Sequence, residues 1–223
     1  MQAMILAAGR GERMRPLTDH RPKPLLTVGD RPLIVHLIEQ LARAGIVDLV
    51  INHCWLGGQL EAELGDGRPW GVAIRYSAEA VALETAGGLA YARPLLDDRP
   101  FLAVNGDIFT DFDFTLTLAW TERIIRENLL GVGLLVPNPA HHPAGDFSLA
   151  AGLVRNEPPH DLTWAGICML APSILDPVVA GRAAPLAPLL RMAAGQGRLG
   201  GVRHHGHWSD VGTPERLQAL NAH

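Results

Sequence analysis

The chain is short of several things, and each shortage removes a class of function. Only two of its 223 residues are cysteine, Cys54 and Cys168. No metal-type spacing links them, so they read as two unpaired thiols in a reducing cytoplasm. No excess of positive charge exists: 19 Lys and Arg face 23 Asp and Glu, a formal charge of −4. A general nucleic-acid binder is therefore not expected. No apolar run approaches the ~20 residues of a membrane-spanning helix, so no membrane contact is expected either. Met4 to Ala8 is too short for a secretory signal core and lacks the preceding charge. Internal repeats, low-complexity tracts and flexible linkers are missing. So are G-x-S-x-G and Cys/His signatures, which leaves no sign of a covalent nucleophile.

What is present is apolar residues, at 48% of the chain, enough for a sizeable core in one large α/β domain or two small ones. Strand and helix patterns alternate, which favours a mostly parallel sheet with helices on its faces. Strands are expected at Ala3–Leu6, Leu49–Asn52, Val72–Tyr76, Phe101–Val104 and Val132–Val136. Helices are expected at Pro32–Ala44, Gln59–Leu64, Gly87–Ala92 and Leu116–Arg126. Beyond Val136 prolines punctuate shorter strands, at Phe147–Leu149, Leu162–Leu170 and Arg198–His204. Helices at Pro185–Ala194 and Pro214–Asn221 close the chain.

The most informative segment runs from Leu6 to Pro24, LAAGRGERMRPLTDHRPKP. An apolar run ends in Gly9-Arg10-Gly11, and Arg13, Arg15 and Lys23 follow. Glycines let backbone N–H groups approach a phosphate, and the cations neutralise it. A polyphosphate site is expected, most simply for a nucleoside triphosphate. Two familiar phosphate loops do not fit. A Walker loop needs Gly-Lys-Ser/Thr, but Glu12 and Arg13 follow Gly11. A dinucleotide fingerprint needs a third glycine where Met14 stands, and Pro16 would break its helix. A second constellation, Asn105-Gly106-Asp107, directly follows the strand Phe101–Val104. Ligands of open α/β sheets sit beyond such strand ends, which puts Asp107 where a metal would bridge phosphates.

The spacing of Gly9, Gly11, Arg13, Pro16 and Thr18, then Pro22, Lys23 and Pro24, resembles the signature of the sugar-1-phosphate nucleotidyltransferases. That resemblance implies a Rossmann-like, GT-A-like α/β fold in one domain over residues 1–223. Residues 1–136 would be its nucleotide-binding part and 137–223 its sugar-binding part. It implies Arg13 and Lys23 as catalytic cations, with Ala8, Gly9, Gly11, Glu12, Thr85 and Gly87 completing the nucleotide contacts. Thr85 also reads as a helix cap. Trp208-Ser209-Asp210-Val211-Gly212-Thr213-Pro214 is similar to a family segment whose aspartate is the second metal ligand. Mg²⁺ on Asp107 and Asp210 is the implied cofactor. The implied reaction is attack by a sugar-1-phosphate oxygen on the α-phosphorus of the triphosphate, with departure of pyrophosphate.

Asn138-Pro139-Ala140-His141-His142-Pro143-Ala144-Gly145-Asp146-Phe147 looks like the branch of muramate-1-phosphate uridylyltransferases in cell-wall recycling. Asn52-His53-Cys54-Trp55-Leu56 and Leu83-Glu84-Thr85 resemble it too. This implies UTP and a sugar 1-phosphate as substrates, with Asn105, Asp146 and Glu157 as sugar contacts. His141, His142 and Arg155 lie in the right part of the chain to meet the lactyl carboxylate of muramate. Two departures stand out: Pro158 replaces the lysine of an E-K-P motif, and Ala86 replaces a glycine of an E-T-G-G-G run. The alternatives are a mannose-1-phosphate guanylyltransferase or other hexose-1-phosphate enzyme, and a GT-A glycosyltransferase using Asp111 and Asp113.

Overall fold

The computed structural model describes residues 1–222. β1 (Gln2–Leu6) starts the chain, and a small hairpin, β2 (Thr27–Val28) and β3 (Arg31–Pro32), leads into α1 (Leu33–Arg43). Then follow β4 (Asp48–His53), α2 (Gly57–Leu64), β5 (Ala73–Ala78), α3 (Glu84–Tyr91) and β6 (Phe101–Asn105). Next come β7 (Ile108–Thr110), α4 (Leu118–Glu127), β8 (Gly131–Pro137), β9 (Ser148–Ala150), β10 (Leu153–Arg155) and β11 (Leu162–Leu170). The chain closes with α5 (Ala187–Gly195), β12 (Leu199–Arg203), β13 (Trp208–Asp210) and α6 (Pro214–Asn221).

Nine strands form one sheet in the order β5-β4-β1-β6-β11-β8-β12-β10-β9. From β5 to β6 every pair is parallel. β11 then runs antiparallel between β6 and β8, β12 returns parallel to β8, and β10 and β9 finish that edge antiparallel. Within the parallel half, β4, β1 and β6 are buried on both faces, as helix-covered strands must be, while the edge strand β5 alternates. Ala3 and Ile5 pack into a core with α1, α2 and α4, while Met4 points the other way, into a core with α3 and α5. Period-2 alternation thus produces a three-layer sandwich. No helix among the described residues is long and apolar enough to cross a membrane.

Leu162–Leu170 and Pro214–Asn221 form on the expected residues. The helix expected from Gly87 starts at Glu84 instead, because its two glycines are packing residues inside the helix and not its entry loop. The strands β7, β10 and β13 are each three residues long, too short for alternation to be read from sequence. The antiparallel β7–β13 pair matters most here. It sets Asp210 opposite Ile108, and the Val211 N–H donates to the Asp107 carbonyl at 2.8 Å.

Candidate active site

The loop after β1 is tied down from both ends. The Ala7 N–H donates to the buried Asn52 Oδ1 at 2.8 Å. Gly11 has φ +69°, a left-handed turn that favours glycine, and the buried Thr18 hydroxyl donates to its carbonyl at 2.9 Å. Met14 is fully buried among Leu26, Leu33, Val211 and Leu217. That anchor leaves its neighbour Arg13 exposed, with no ion pair among the described residues. Arg10 stacks over the Trp55 ring at 4.1 Å and bonds the Thr18 carbonyl at 2.7 Å. Arg10 and Arg15 share Asp19, and the Arg10 hydrogen bond leads the contacts that hold that carboxyl below its ordinary range. These two arginines therefore brace the loop.

Lys23 is the only lysine in the chain. It opens a short 3₁₀ turn between Pro22 and Pro24, and its ammonium is paired with the Asp107 carboxylate. Asp210 is likewise paired with Arg216, whose guanidinium also lies 2.9 Å from His141 Nε2. His141 Nε2 is 3.0 Å from Asp210. Two carboxylates, each facing a cation, thus line one cleft at the end of the β7–β13 ladder. An added Cβ at Gly212 would lie 2.5 Å from the Arg216 guanidinium and 3.2 Å from that of Arg13, so the glycine admits both.

Two clefts open at this point. One, of about 430 Å³, is lined by Ala8, Gly9, Gly11, Glu12, Arg13 and Lys23 on one wall and by Asn52, Glu84 and Thr85 on the other. The second, of about 380 Å³, is lined by His141, His142, Thr163, Trp164, Trp208 and Asp210. Arg13, Asn105 and Asp107 line both. Of the residues expected at the site, these clefts collect Ala8, Gly9, Gly11, Glu12, Arg13, Lys23, Thr85, Asn105, Asp107 and Asp210.

Three others lie elsewhere. Gly87 is buried against residues 182–184, where a Cβ would meet the Arg182 carbonyl, and its N–H donates to Ala184 O at 3.0 Å. Asp146 lines neither cleft; its Oδ2 accepts the Trp164 N–H at 2.9 Å and its Oδ1 lies 3.1 Å from His142 Nε2. Glu157 sits in an exposed bend after β10 and lines neither cleft. Thr85 does not cap α3, because Leu83 occupies the cap position. Asp111 and Asp113 are accounted for away from both clefts, which removes the Asp-x-Asp reading. Asp111 lies 2.9 Å from His204 Nε2, and Asp113 accepts the Thr115 N–H at 2.9 Å.

Sequence reasoning missed Asn52, Glu79, Glu84 and Arg216. Asn52 joins the two walls of the first cleft. Besides holding Ala7, its Nδ2 donates to Glu79 Oε1 at 2.6 Å, and Glu79 Oε2 accepts the Leu83 N–H at 2.9 Å. A buried polar pair closing an apolar strand, Asn52-His53, was the available signal. Glu84 takes φ +57° on the cleft wall, a strained conformation typical of functional sites.

A glycine loop and cations beyond β1, with two carboxylates beyond β6 and β13, define a site for joining a phosphorylated nucleotide to a second ligand. The chain belongs to the nucleotidyl transferase family, whose model matches residues 2–139. It is 51% identical to an N-acetylmuramate alpha-1-phosphate uridylyltransferase of Neisseria meningitidis serogroup B, over 100% of this chain and 97% of that one. A protein of the same name from Caulobacter vibrioides is 35% identical over 99% of this chain and 95% of its own. Mannose-1-phosphate guanyltransferase beta-B of Xenopus laevis is more distant, at 29%, and this chain covers 62% of its length. The fold matches a putative glucose-1-phosphate thymidylyltransferase of Bacillus anthracis with a TM-score of 0.87 at 23% identity, over 100% of this chain and 94% of that one.

Proposed function

We propose that the chain transfers uridylyl from UTP to N-acetylmuramic acid 1-phosphate, yielding UDP-N-acetylmuramic acid and pyrophosphate. One observation carries the reading: adjoining clefts share Arg13, Asn105 and Asp107, in a chain 51% identical end to end to a relative of that name. The first cleft would take the triphosphate and the second the sugar phosphate. An oxygen of the sugar phosphate attacks the α-phosphorus, the α–β bridging bond breaks, and pyrophosphate leaves. Arg13, open to both clefts, would pair with the β- and γ-phosphates and the departing pyrophosphate. Lys23, beside Asp107, would reach the α-phosphate and hold the incoming oxygen near it.

Mg²⁺ fits the donor set of Asp107 and Asp210, two hard carboxylates at one cleft, with phosphate oxygens and water completing six ligands. When bound, the ion would neutralise the triphosphate and polarise the phosphorus. The two free thiols suit a cytoplasmic enzyme, and the product suits reuse of cell-wall sugar. The test is pyrophosphate release across a matrix of sugar 1-phosphates against UTP, dTTP and GTP. The highest kcat/KM is expected for N-acetylmuramic acid 1-phosphate with UTP. A preference for mannose 1-phosphate with GTP would overturn the assignment.

A further inference from the structure

The segment from Asn138 to Phe147 divides into residues that build a loop and residues that the loop presents. Asn138 Nδ2 donates to the His160 carbonyl at 2.9 Å, and its Oδ1 accepts from the Thr163 hydroxyl at 2.9 Å. Gly145 has φ +62° and packs where a Cβ would lie 2.5 Å from the His160 carbonyl. Phe147 is buried and meets the Trp164 ring edge-on at 5.9 Å. Asp146 has both oxygens committed, one to the Trp164 N–H and one to His142. These four residues nail the loop onto β11. The two histidines remain.

The histidines point to different chemistry. His141 is engaged with Arg216 and Asp210, at the end where phosphate chemistry takes place. His142 lines the second cleft and has one partner, Asp146. A carboxylate only accepts, so Nε2 carries the proton in that bond. Nδ1 has no hydrogen-bond partner among the described residues. A proton there makes the ring a cation between Asp146 and a second anion. Arg155 lies on β10 and lines neither cleft. Arg13, the other cation of the second cleft, also lines the first.

We infer that His142, positioned by Asp146, reads the carboxylate of the acceptor sugar and determines the specificity of the second cleft. The inference rests on the acceptor proposed above. N-acetylglucosamine 1-phosphate is the same sugar without the lactyl acid, and it offers Nδ1 of His142 no anion, leaving the ring with Asp146 alone. Asp146 acts through His142 and is a positioning residue, since its own charge would repel the substrate carboxylate.

The experiment compares kcat/KM for N-acetylmuramic acid 1-phosphate and N-acetylglucosamine 1-phosphate, both with UTP, in the parent protein, His142→Gln and Asp146→Asn. Loss of a charge-assisted hydrogen bond predicts that the ratio favouring the acidic sugar falls about tenfold or more in His142→Gln. The fall should lie in the KM of the acidic sugar, with the KM of UTP unchanged. Asp146→Asn should lower the same ratio in the same direction, a shift that a merely structural defect, acting on both sugars alike, would not produce. Thermal denaturation of His142→Gln, whose side chain is 39% exposed, checks that the fold is kept. A parent ratio near one would overturn the acceptor assignment itself. A parent that discriminates, with His142→Gln keeping the ratio or losing both sugars equally, would overturn the role of His142 alone.

Discussion

Replacing Asn52 by leucine should damage both stability and nucleotide binding, because one side chain serves two loops. Leucine has nearly the same volume, so the change removes hydrogen bonds and leaves no cavity. Ala7, which is 5% exposed, loses the acceptor for its N–H, and Glu79, which is 6% exposed, loses a donor to one carboxylate oxygen. A buried polar group left unsatisfied costs about 1–3 kcal/mol, and a charged one more. The two together predict a loss of about 2–6 kcal/mol, a large share of the ~5–15 kcal/mol typical of a folded protein. Urea unfolding followed by tryptophan fluorescence would measure it as a lower midpoint at unchanged slope. The KM for UTP should rise as well, since the Ala7 and Leu83 loops lose their common anchor, while the KM for the sugar phosphate should change less. A loss below about 1 kcal/mol with an unaltered UTP KM would refute the claim that this network carries the cleft.

Arg13→Ala and Lys23→Ala should each lower kcat by about a hundredfold or more, the scale of a lost transition-state charge contact, with little change in melting temperature. Near-parental turnover in either variant would remove that residue from the mechanism. Asp107→Asn and Asp210→Asn keep shape but remove charge, and each should shift the Mg²⁺ activation curve to higher concentration. Full activity in excess chelator, or parental Mg²⁺ titration in either variant, would exclude the paired-aspartate site. Burial pushes the Cys168 thiol up to about 12, so at pH 8 it stays protonated and should resist a thiolate-directed reagent until the protein is unfolded. Rapid labelling of both cysteines in the native protein would contradict that burial.

The central parallel strands β1, β4 and β6 were legible because helix-covered strands are largely continuous apolar runs. The phosphate loop was legible because its spacing encodes geometry: Gly11 turns, Thr18 closes on Gly11, and Met14 anchors so that Arg13 faces out. The placement of Asp210 beside Asp107 was not legible. It depends on a three-residue ladder, β7 with β13, formed across roughly a hundred intervening residues. Arg216 escaped notice for a local reason: it meets Asp210 six residues back, across the Gly212 turn and the α6 cap, which is no recognisable helical or strand spacing. Asp146 was legible as part of its motif, but its partners were not: its oxygens bond the Trp164 N–H and His142.

Lysine occurs once in this protein, at residue 23, and every other member of its 19 Lys and Arg residues is arginine. Apart from the amino terminus, the sole primary amine therefore lines the first cleft. Guanidinium groups ignore most acylating and reductive-alkylating reagents at neutral pH, so such chemistry is directed to Lys23 by composition alone. With its side chain 12% exposed and turned to Asp107, that amine should react slowly, and more slowly still under bound phosphate. One added mass per chain beyond that of the amino terminus, suppressed by UTP, would count sites competent to bind the nucleotide without any enzymatic assay. An inhibitor carrying an amine-seeking aldehyde would find one internal target on this protein.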